Sequence, residues 1–143
     1  MGRVSKQVIN KELIEDLEEQ LSFIIVSFKT DQETSSFLNE FLTKEEKMML
    51  GKRLALYMML YKGMTSKQIH SSLSMSFETI RWYKQVYENK PDAFKKEIEK
   101  LINRKKSKEL WKKIEKILKP IDLAMKARSD MRARAKFASG EFS

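Results

Sequence analysis

The chain has 143 residues, about the length of one domain, and its 29 lysines and arginines against 20 acidic residues give a net charge of +9. Its 4 glycines and 2 prolines supply little turn-forming material, which argues against hairpin-rich β folds. The lack of cysteine excludes disulfides, thiolate zinc sites and cysteine nucleophiles, and a single histidine argues against a histidine metal cluster. With no signal-peptide pattern and no membrane-length apolar stretch near the start, we expect a mostly helical, cytoplasmic protein without metal or cofactor.

The first forty residues predict two helices. Apolar residues recur every three to four positions over 6–29, which is typical of an amphipathic helix. The segment from Thr30 to Ser36 is polar and predicts a break. A short helix over 36–42 should follow, with its phenylalanines and leucines on one side.

A long third helix is predicted over 44–62. Thr43 followed by Glu46 is a capping-box pattern, in which each side chain binds the free backbone N–H of the other residue. Gly63 can adopt the left-handed conformation that ends such a helix. Residues 54–61 are apolar around the whole helix circumference, so we expect this stretch to be buried on all sides.

Two short helices come next, with predicted ranges 66–73 and 77–87. Thr65 followed by Gln68 repeats the capping-box pattern, and Ser76 supplies a hydroxyl N-cap for the second helix. Only Ser74 and Met75 separate the two, so the helices must cross steeply, as in a helix-turn-helix. Five residues occupy the inward positions of this motif: Ile69, Leu73, Met75, Ile80 and Tyr83.

The C-terminal third predicts a basic helical extension. Two amphipathic helices, 92–103 and 108–119, either separate or fused, should end at Pro120, and Trp111 should anchor the second to the body of the protein. We therefore divide the chain into a main domain over 1–90, an extension over 91–120 and a basic, flexible tail over 121–143.

The positive charge is concentrated in one part of the chain. Residues 81–119 carry 14 basic and 6 acidic side chains, whereas residues 1–80 carry 10 and 11. A concentrated excess of lysine attracts a polyanion by releasing its counterions. The lysines of 95–116 are therefore expected to bind phosphates. A solvated outer face and contact with an anionic membrane are the alternatives.

Four segments resemble the Trp repressor superfamily over about residues 36–87: Phe41-Leu-Thr-Lys-Glu-Glu, Leu50-Gly-Lys-Arg-Leu, Lys62-Gly-Met-Thr-Ser-Lys-Gln-Ile and Thr79-Ile. The resemblance implies an all-α, multi-helix, intertwined homodimer that binds double-stranded operator DNA through its helix-turn-helix units. A dimer also suits the apolar patterning, because one chain of this size would not cover both residues 8–28 and residues 44–62. We therefore expect these two segments to dimerise.

The resemblance extends only partly to the corepressor pocket. Thr43 and Arg53 match two family positions that contact bound tryptophan, and Thr79 matches a position near the pocket. A second pocket arginine of the family aligns with Trp82, and a pocket serine aligns with Val86. Because an indole would fill the space in which the ligand stacks, we expect DNA binding without tryptophan or any other small-molecule effector.

Nine residues are predicted to bind DNA: Thr65, Ser66, Lys67, Ser76, Phe77, Glu78, Thr79, Arg81 and Gln85. Those at the start of the first short helix should hold phosphates, because helix N-termini favour anions. In the second short helix, Arg81 can bind either guanine or phosphate, and Glu78 can accept a hydrogen bond from a cytosine amino group. Phe77 either touches a thymine methyl group or packs on the preceding helix.

Three further side chains have two interpretations each. Trp82 and Tyr83 either stack on bases or, as their helical spacing beside Ile80 favours, belong to the core or fill the pocket. His70 is either a partly exposed helix residue, which we favour, or a pH-sensitive group.

The predicted function is a homodimeric, sequence-specific transcriptional regulator, most simply a repressor. One alternative is a basic helical module that binds DNA or RNA without sequence preference. Another is a protein-interaction adaptor that uses the helix-turn-helix for packing. Enzymatic activity is not expected, because the sequence has no cysteine, a single histidine, no glycine-rich phosphate loop and no evident carboxylate pair.

Overall fold

The computed structural model describes residues 9–126, and within this range the chain forms seven α-helices and no β-strand. The helices are α1 Lys11–Ser27, α2 Asp31–Phe41, α3 Lys44–Tyr61, α4 Ser66–Leu73, α5 Phe77–Glu88, α6 Asp92–Asn103 and α7 Ser107–Lys126. The chain divides after Gly51 into two compact units, so α3 begins in the first unit and ends in the second. The predicted all-α fold is confirmed.

In the first unit, α2 begins earlier than predicted. The Thr30 hydroxyl accepts a hydrogen bond from Glu33 N at 3.2 Å, and Glu33 Oε2 accepts one from Lys29 N at 3.0 Å. The prediction that 30–36 is a break was therefore wrong, because this polar segment is the N-cap and first turns of a helix. Thr30 followed by Glu33 is itself a capping-box pattern, a local signal that we overlooked.

The apolar side chains of the first unit are mostly open to solvent in the single chain. α1 is amphipathic as predicted, but it covers Lys11–Ser27 with Asn10 as its N-cap, so Ile9 and Asn10, which belong to the predicted range 6–29, lie outside the helix. None of the described residues of α1 or α2 is buried. Phe28, Phe37 and Phe41 form a row with 5.1 Å between successive ring centroids. Six large apolar side chains of α1 are more than 40% exposed: Leu13, Leu17, Leu21, Phe23, Ile25 and Val26.

Both predicted ends of α3 are confirmed. The Thr43 hydroxyl accepts from Glu46 N at 3.1 Å while Glu46 Oε2 accepts from Thr43 N at 2.9 Å, and Gly63 has a φ of +73°. Four consecutive residues near its C-terminal end are buried: Leu56, Tyr57, Met58 and Met59. The expectation of burial on all sides was wrong for Leu54 and Tyr61, because within the single chain they lie at the ends of the buried stretch and are 44% and 38% exposed.

The core of the second unit joins α3 to the four helices that follow it. Its buried residues are Leu56, Tyr57, Met58, Met59, Ile69, Ile80, Ile98, Trp111, Ile114 and Leu118. α4 packs against both α5 and α7, and α6 packs against α7. Trp111 is 7% exposed, which confirms that it anchors the last helix. Among the described residues, no helix is long and apolar enough to cross a lipid bilayer.

The basic extension forms two separate helices, α6 and α7. Their division falls at 104–106, where the sequence predicted an interruption of the apolar spacing. Ser107, the first residue of α7, is buried, and its hydroxyl donates a hydrogen bond to the Leu101 carbonyl at 2.6 Å. This bond holds the start of α7 against the last turns of α6.

The prediction that the last helix ends at Pro120 was wrong, because α7 continues through this residue to Lys126. A proline inside a helix loses its own N–H donor, and its ring crowds the carbonyl four residues earlier. The helix continues here because buried Leu118 fixes the preceding turn in the core. Residues 121–126 are therefore helical, and the rest of the predicted flexible tail lies outside the described residues. The functional division of the chain at residue 90 stays a prediction.

Candidate nucleic-acid interface

The N-terminus of α4 is held by a complete capping box. The Thr65 hydroxyl accepts from Gln68 N at 3.2 Å, and Gln68 Oε1 accepts from Thr65 N at 2.9 Å. Fully buried Ile69 fixes the helix to the core from its other side. Ser66 and Lys67 thus lie in the first turn of a rigid helix, where backbone N–H groups and the helix dipole favour an anion.

The turn between α4 and α5 is tight and contains a left-handed residue. Ser74 has φ 52° and ψ 45°, and its N–H donates to the His70 carbonyl at 3.0 Å. Ser76 then caps α5, because its hydroxyl oxygen accepts from Thr79 N at 3.2 Å. The Ser76 hydroxyl also donates to Thr79 Oγ1 at 2.8 Å. Thr79 is only the acceptor of that bond, so its own hydroxyl hydrogen can still be donated to a ligand.

The outward face of α5 carries two adjoining surface clefts. One, about 650 Å³, is lined by Glu78, Thr79, Arg81, Trp82, Tyr83 and Gln85. The other, about 620 Å³, is lined by Ser66, Phe77, Glu78, Arg81 and Lys84. Glu78 and Arg81 line both clefts, so a hydrogen-bond acceptor and a cation meet at the centre of the face. Ile80 is fully buried and ties this face to the core.

The second cleft joins α5 to the start of α4. Ser66 belongs to the first turn of α4, yet it borders the same cleft as Phe77 and Arg81 of α5. The structure thus brings six of the nine predicted DNA-binding residues to these two clefts. The other three, Thr65, Lys67 and Ser76, line neither cleft; two of them are N-caps, and Lys67 is an exposed first-turn residue.

Phe77 packs on the preceding helix, which was one of its two predicted positions. Its ring stacks on the His70 ring with centroids 4.3 Å apart and an interplanar angle of 15°. His70 Nδ1 lies 2.6 Å from the Met75 carbonyl, so this nitrogen carries the hydrogen and donates it. Phe77 remains 51% exposed, which leaves part of its ring open to a ligand. His70 is exposed, as predicted, and also braces the turn.

Trp82 and Tyr83 differ in their surroundings. The prediction that Trp82 belongs to the core or fills a pocket was wrong for the single chain, because its ring projects from α5 and is 57% exposed. It meets Tyr83 edge-on, with centroids 4.8 Å apart. Tyr83 does pack against the core, as predicted, and contacts Tyr57 edge-on at 6.0 Å.

Arg53, one of the two residues that match corepressor-contacting positions, already has a partner in its own chain. Its Nε donates to the Tyr83 hydroxyl at 3.1 Å, and its guanidinium carbon lies 5.8 Å from the centroid of the Tyr83 ring. Behind this pair, burial raises the pKa of Tyr57 above its usual value; Tyr83 raises it further, whereas the Arg53 charge lowers it. The buried Tyr57 phenol behind this pair is therefore neutral at physiological pH.

Four cleft or bracing residues were not among the predicted DNA-binding positions: His70, Trp82, Tyr83 and Lys84. The sequence alone could have predicted that Lys84 lines the cleft, because it lies three residues after Arg81 on the same helix face. The stacking of His70 on Phe77 was not, since it depends on the crossing of two helices.

The chemical groups on the outward face of α5 are suited to binding a DNA duplex. An exposed helix carries a guanidinium, a carboxylate and an amide, and it lies beside a helix N-terminus suited to phosphate. A family model described as Trp repressor protein matches residues 16–102, more than half of the chain. No curated protein and no solved structure matches the chain significantly. The chain therefore belongs to the Trp repressor family, a family of DNA-binding helix-turn-helix regulators.

Proposed function

We propose that the protein is a homodimeric transcriptional repressor that binds a specific operator sequence without tryptophan. The observation that carries this proposal is the convergence of Ser66, Glu78 and Arg81 on one cleft between α4 and α5. A helix that presents an arginine and an acceptor beside a phosphate-binding N-terminus is equipped to read base edges in the major groove.

In this proposal the side chains of α5 make different contacts with the DNA. Arg81 donates to guanine O6 and N7, while Glu78 accepts from a cytosine amino group and disfavours other bases. Gln85, Thr79 and the exposed part of the Phe77 ring add contacts along the groove. Thr65, Ser66, Lys67 and Ser76 lie at the two helix N-termini and hold the DNA backbone, which fixes the register of α5.

The homodimer is supported by the exposed apolar side chains of α1. Exposed apolar surface of this extent marks an interaction site, and a second copy of the chain with the same stripe is the simplest partner. A dimer also places two α5 helices on one duplex, so the operator should be a palindrome.

Independence from tryptophan is supported by the bond between Arg53 and Tyr83. A guanidinium that donates to a phenol of its own chain is less available for a ligand carboxylate. A binding module without sequence preference remains the second candidate function, because residues 81–119 hold most of the charge excess.

Substitution of Arg81 by alanine separates the two functions. The test uses two duplexes, one selected from a random library by the wild-type protein and one of the same composition with a scrambled sequence. We expect Arg81→Ala to weaken binding to the selected duplex by about 1–3 kcal/mol and to leave binding to the scrambled duplex nearly unchanged.

Lys84→Ala is the matched control, because Lys84 lines the same cleft and lacks the paired donors that read guanine. It should weaken binding to both duplexes by the same small factor. Equal losses on both duplexes for Arg81→Ala would favour the module without sequence preference.

A further inference from the structure

The C-terminal helix α7 carries a row of lysines that neither the helix-turn-helix nor the core uses. The row consists of Lys108, Lys112, Lys116 and Lys119, and all four are exposed. Their spacing of four, four and three residues places them within about 80° of the helix circumference. The opposite stripe of α7, which includes Trp111, Ile114 and Leu118, is buried against the rest of the unit.

The lysine row is not neutralised by its own protein. Among the described residues, ion pairs join Lys11 to Glu15 and Lys100 to Glu97, and no lysine of the row takes part in one. Like charges four residues apart on a helix repel each other. A polyanion would relieve this repulsion and would release its counterions on binding.

The dimensions of the row suit a phosphate backbone. From Lys108 to Lys119 the helix rises about 17 Å, at 1.5 Å per residue. This length corresponds to about five phosphates of one DNA strand, at about 3.4 Å of helix axis each.

The helix that carries the row packs against α4 and near the end of α3. The Lys62 ammonium lies 4.0 Å from the centroid of the Trp111 ring, which ties the second turn of α7 to the end of α3. Lys62 comes three residues before Thr65, the N-cap of α4. α7 also packs directly against α4. These contacts place the second turn of α7, in which Trp111 lies between Lys108 and Lys112 in sequence, next to the segment that leads into α4.

We propose that the lysine row of α7 binds the phosphates of duplex DNA that flanks the bases contacted by α5. This proposal rests on the proposed function and adds to it a second contact surface, which supplies affinity without sequence preference. α7 lies entirely beyond the matched family segment, which ends at residue 102. An anionic membrane fits less well, because Trp111, Ile114 and Leu118 are buried and, over 107–120, Leu110 and Ile117 are the only large apolar side chains of α7 that are exposed.

The test compares the salt dependence of DNA binding for two variants of equal charge. The row variant changes Lys108, Lys112, Lys116 and Lys119 to glutamine. The control variant changes four exposed lysines of the first unit to glutamine: Lys11, Lys29, Lys44 and Lys47. The probe is a fluorescent duplex of random sequence about four helical turns long, titrated by anisotropy between about 50 and 200 mM salt.

Each lost phosphate contact lowers the slope of log K against log salt by about 0.9. We expect the slope of the row variant to fall by about 3 to 4 for each bound protomer, which is about 7 for a dimer. The slope of the control variant should match the wild type. A variant with arginine at the same four row positions should retain the wild-type slope, because it keeps the charge.

A measurement on the unaltered protein makes the test independent of variant folding. Amine acetylation followed by mass spectrometry should show the row lysines protected several-fold by the duplex, whereas Lys11 and Lys29 should react as they do without DNA.

Three results would overturn the proposal, each in a different way. Equal slopes for the row and control variants, with unprotected row lysines, would overturn it and leave the proposed function intact. Loss of binding to phosphatidylserine vesicles in the row variant, with an unchanged DNA slope, would assign the row to a membrane. A wild-type protein that binds no duplex would overturn the proposed function together with this inference.

Discussion

The Nε of Arg53 donates a hydrogen bond to the hydroxyl of Tyr83 across a distance of 3.1 Å, and this bond joins α3 to α5. It places a guanidinium behind the outward face of α5 and uses one of its five N–H donors within the chain. The cation also lies over the edge of an aromatic ring, at 5.8 Å from the centroid, which adds a weak attraction. The bond thus braces, from within the same chain, the helix that is proposed to enter the major groove.

This bond predicts that L-tryptophan does not regulate DNA binding. An effector changes affinity by about 5- to 150-fold when its site is coupled to the ligand site. In a large excess of L-tryptophan, we expect the affinity for a selected duplex to change by less than about 5-fold. The measurement is a DNA titration with and without the amino acid, and a tenfold tightening would refute the prediction. Tyr83→Phe removes the hydroxyl that accepts from Arg53, so this variant shows whether a released Arg53 makes DNA binding respond to L-tryptophan.

If the protein dimerises through α1, a charged residue in the apolar stripe of this helix should separate the dimer into monomers. Leu17 is 55% exposed in the single chain, so Leu17→Glu would be harmless to a monomer. In a dimer it would place an unpaired carboxylate in an apolar interface, which is costly. We expect sedimentation velocity to show a dimeric wild type and a monomeric variant. Glu19→Gln, on the opposite side of the same helix, should stay dimeric; a monomeric wild type would contradict the account.

The left-handed turn residue predicts that a glycine there stabilises the protein. Ser74 has a φ of 52°, a conformation that costs a residue with a Cβ roughly 1–2 kcal/mol. Part of that gain is lost because glycine makes the unfolded chain more flexible. We therefore expect Ser74→Gly to raise the free energy of unfolding by about 0.5–1 kcal/mol, as measured by urea denaturation.

Ser71→Gly gives the matched control, because Ser71 lies inside α4, where glycine lowers helix stability by about 0.5 kcal/mol relative to serine. The two substitutions should therefore have opposite signs. The same sign for both would show that the backbone conformation of Ser74 is not strained.

The buried phenol predicts loss of stability at alkaline pH. Burial raises the pKa of Tyr57 in the folded state above its value in the unfolded chain. The neutral phenol therefore contributes stability that is complete below the unfolded pKa of about 10 and is lost as the pH rises through the folded pKa. Urea denaturation at about pH 8 and about pH 11 should show that the free energy of unfolding falls less for Tyr57→Phe than for the wild type. Equal declines would argue against this assignment.

The boundaries of most helices were predictable because their signals are local. Thr43 with Glu46, Thr65 with Gln68 and the single residue Ser76 each satisfy free N–H groups within three residues, so no tertiary information is needed. The same reasoning applied at Thr30 would have found the true start of α2. That error came from reading polar composition as a break when the spacing already indicated a cap.

Features that depend on packing between helices were not predictable in this way. Pro120 continues a helix because the turn before it is fixed in the core by Leu118, and a single sequence does not show that contact. Trp82 has helical spacing suited to the core, yet its ring projects from α5 into solvent. The shared cleft position of Glu78 and Arg81 was predictable, because their spacing on a single helix is enough to place them on one face. The brace that His70 provides to Phe77 required the three-dimensional crossing of α4 and α5.

The central claim is that a dimer of this protein reads a specific DNA sequence, and selection of bound duplexes from a random library tests it most directly. The selection would be made at about 150 mM salt, where exposed charges farther apart than about 8 Å are largely screened. We predict enrichment of a palindrome whose half-sites lie about one helical turn apart. Retention of DNA without any enriched sequence, or no retention at all, would contradict the claim.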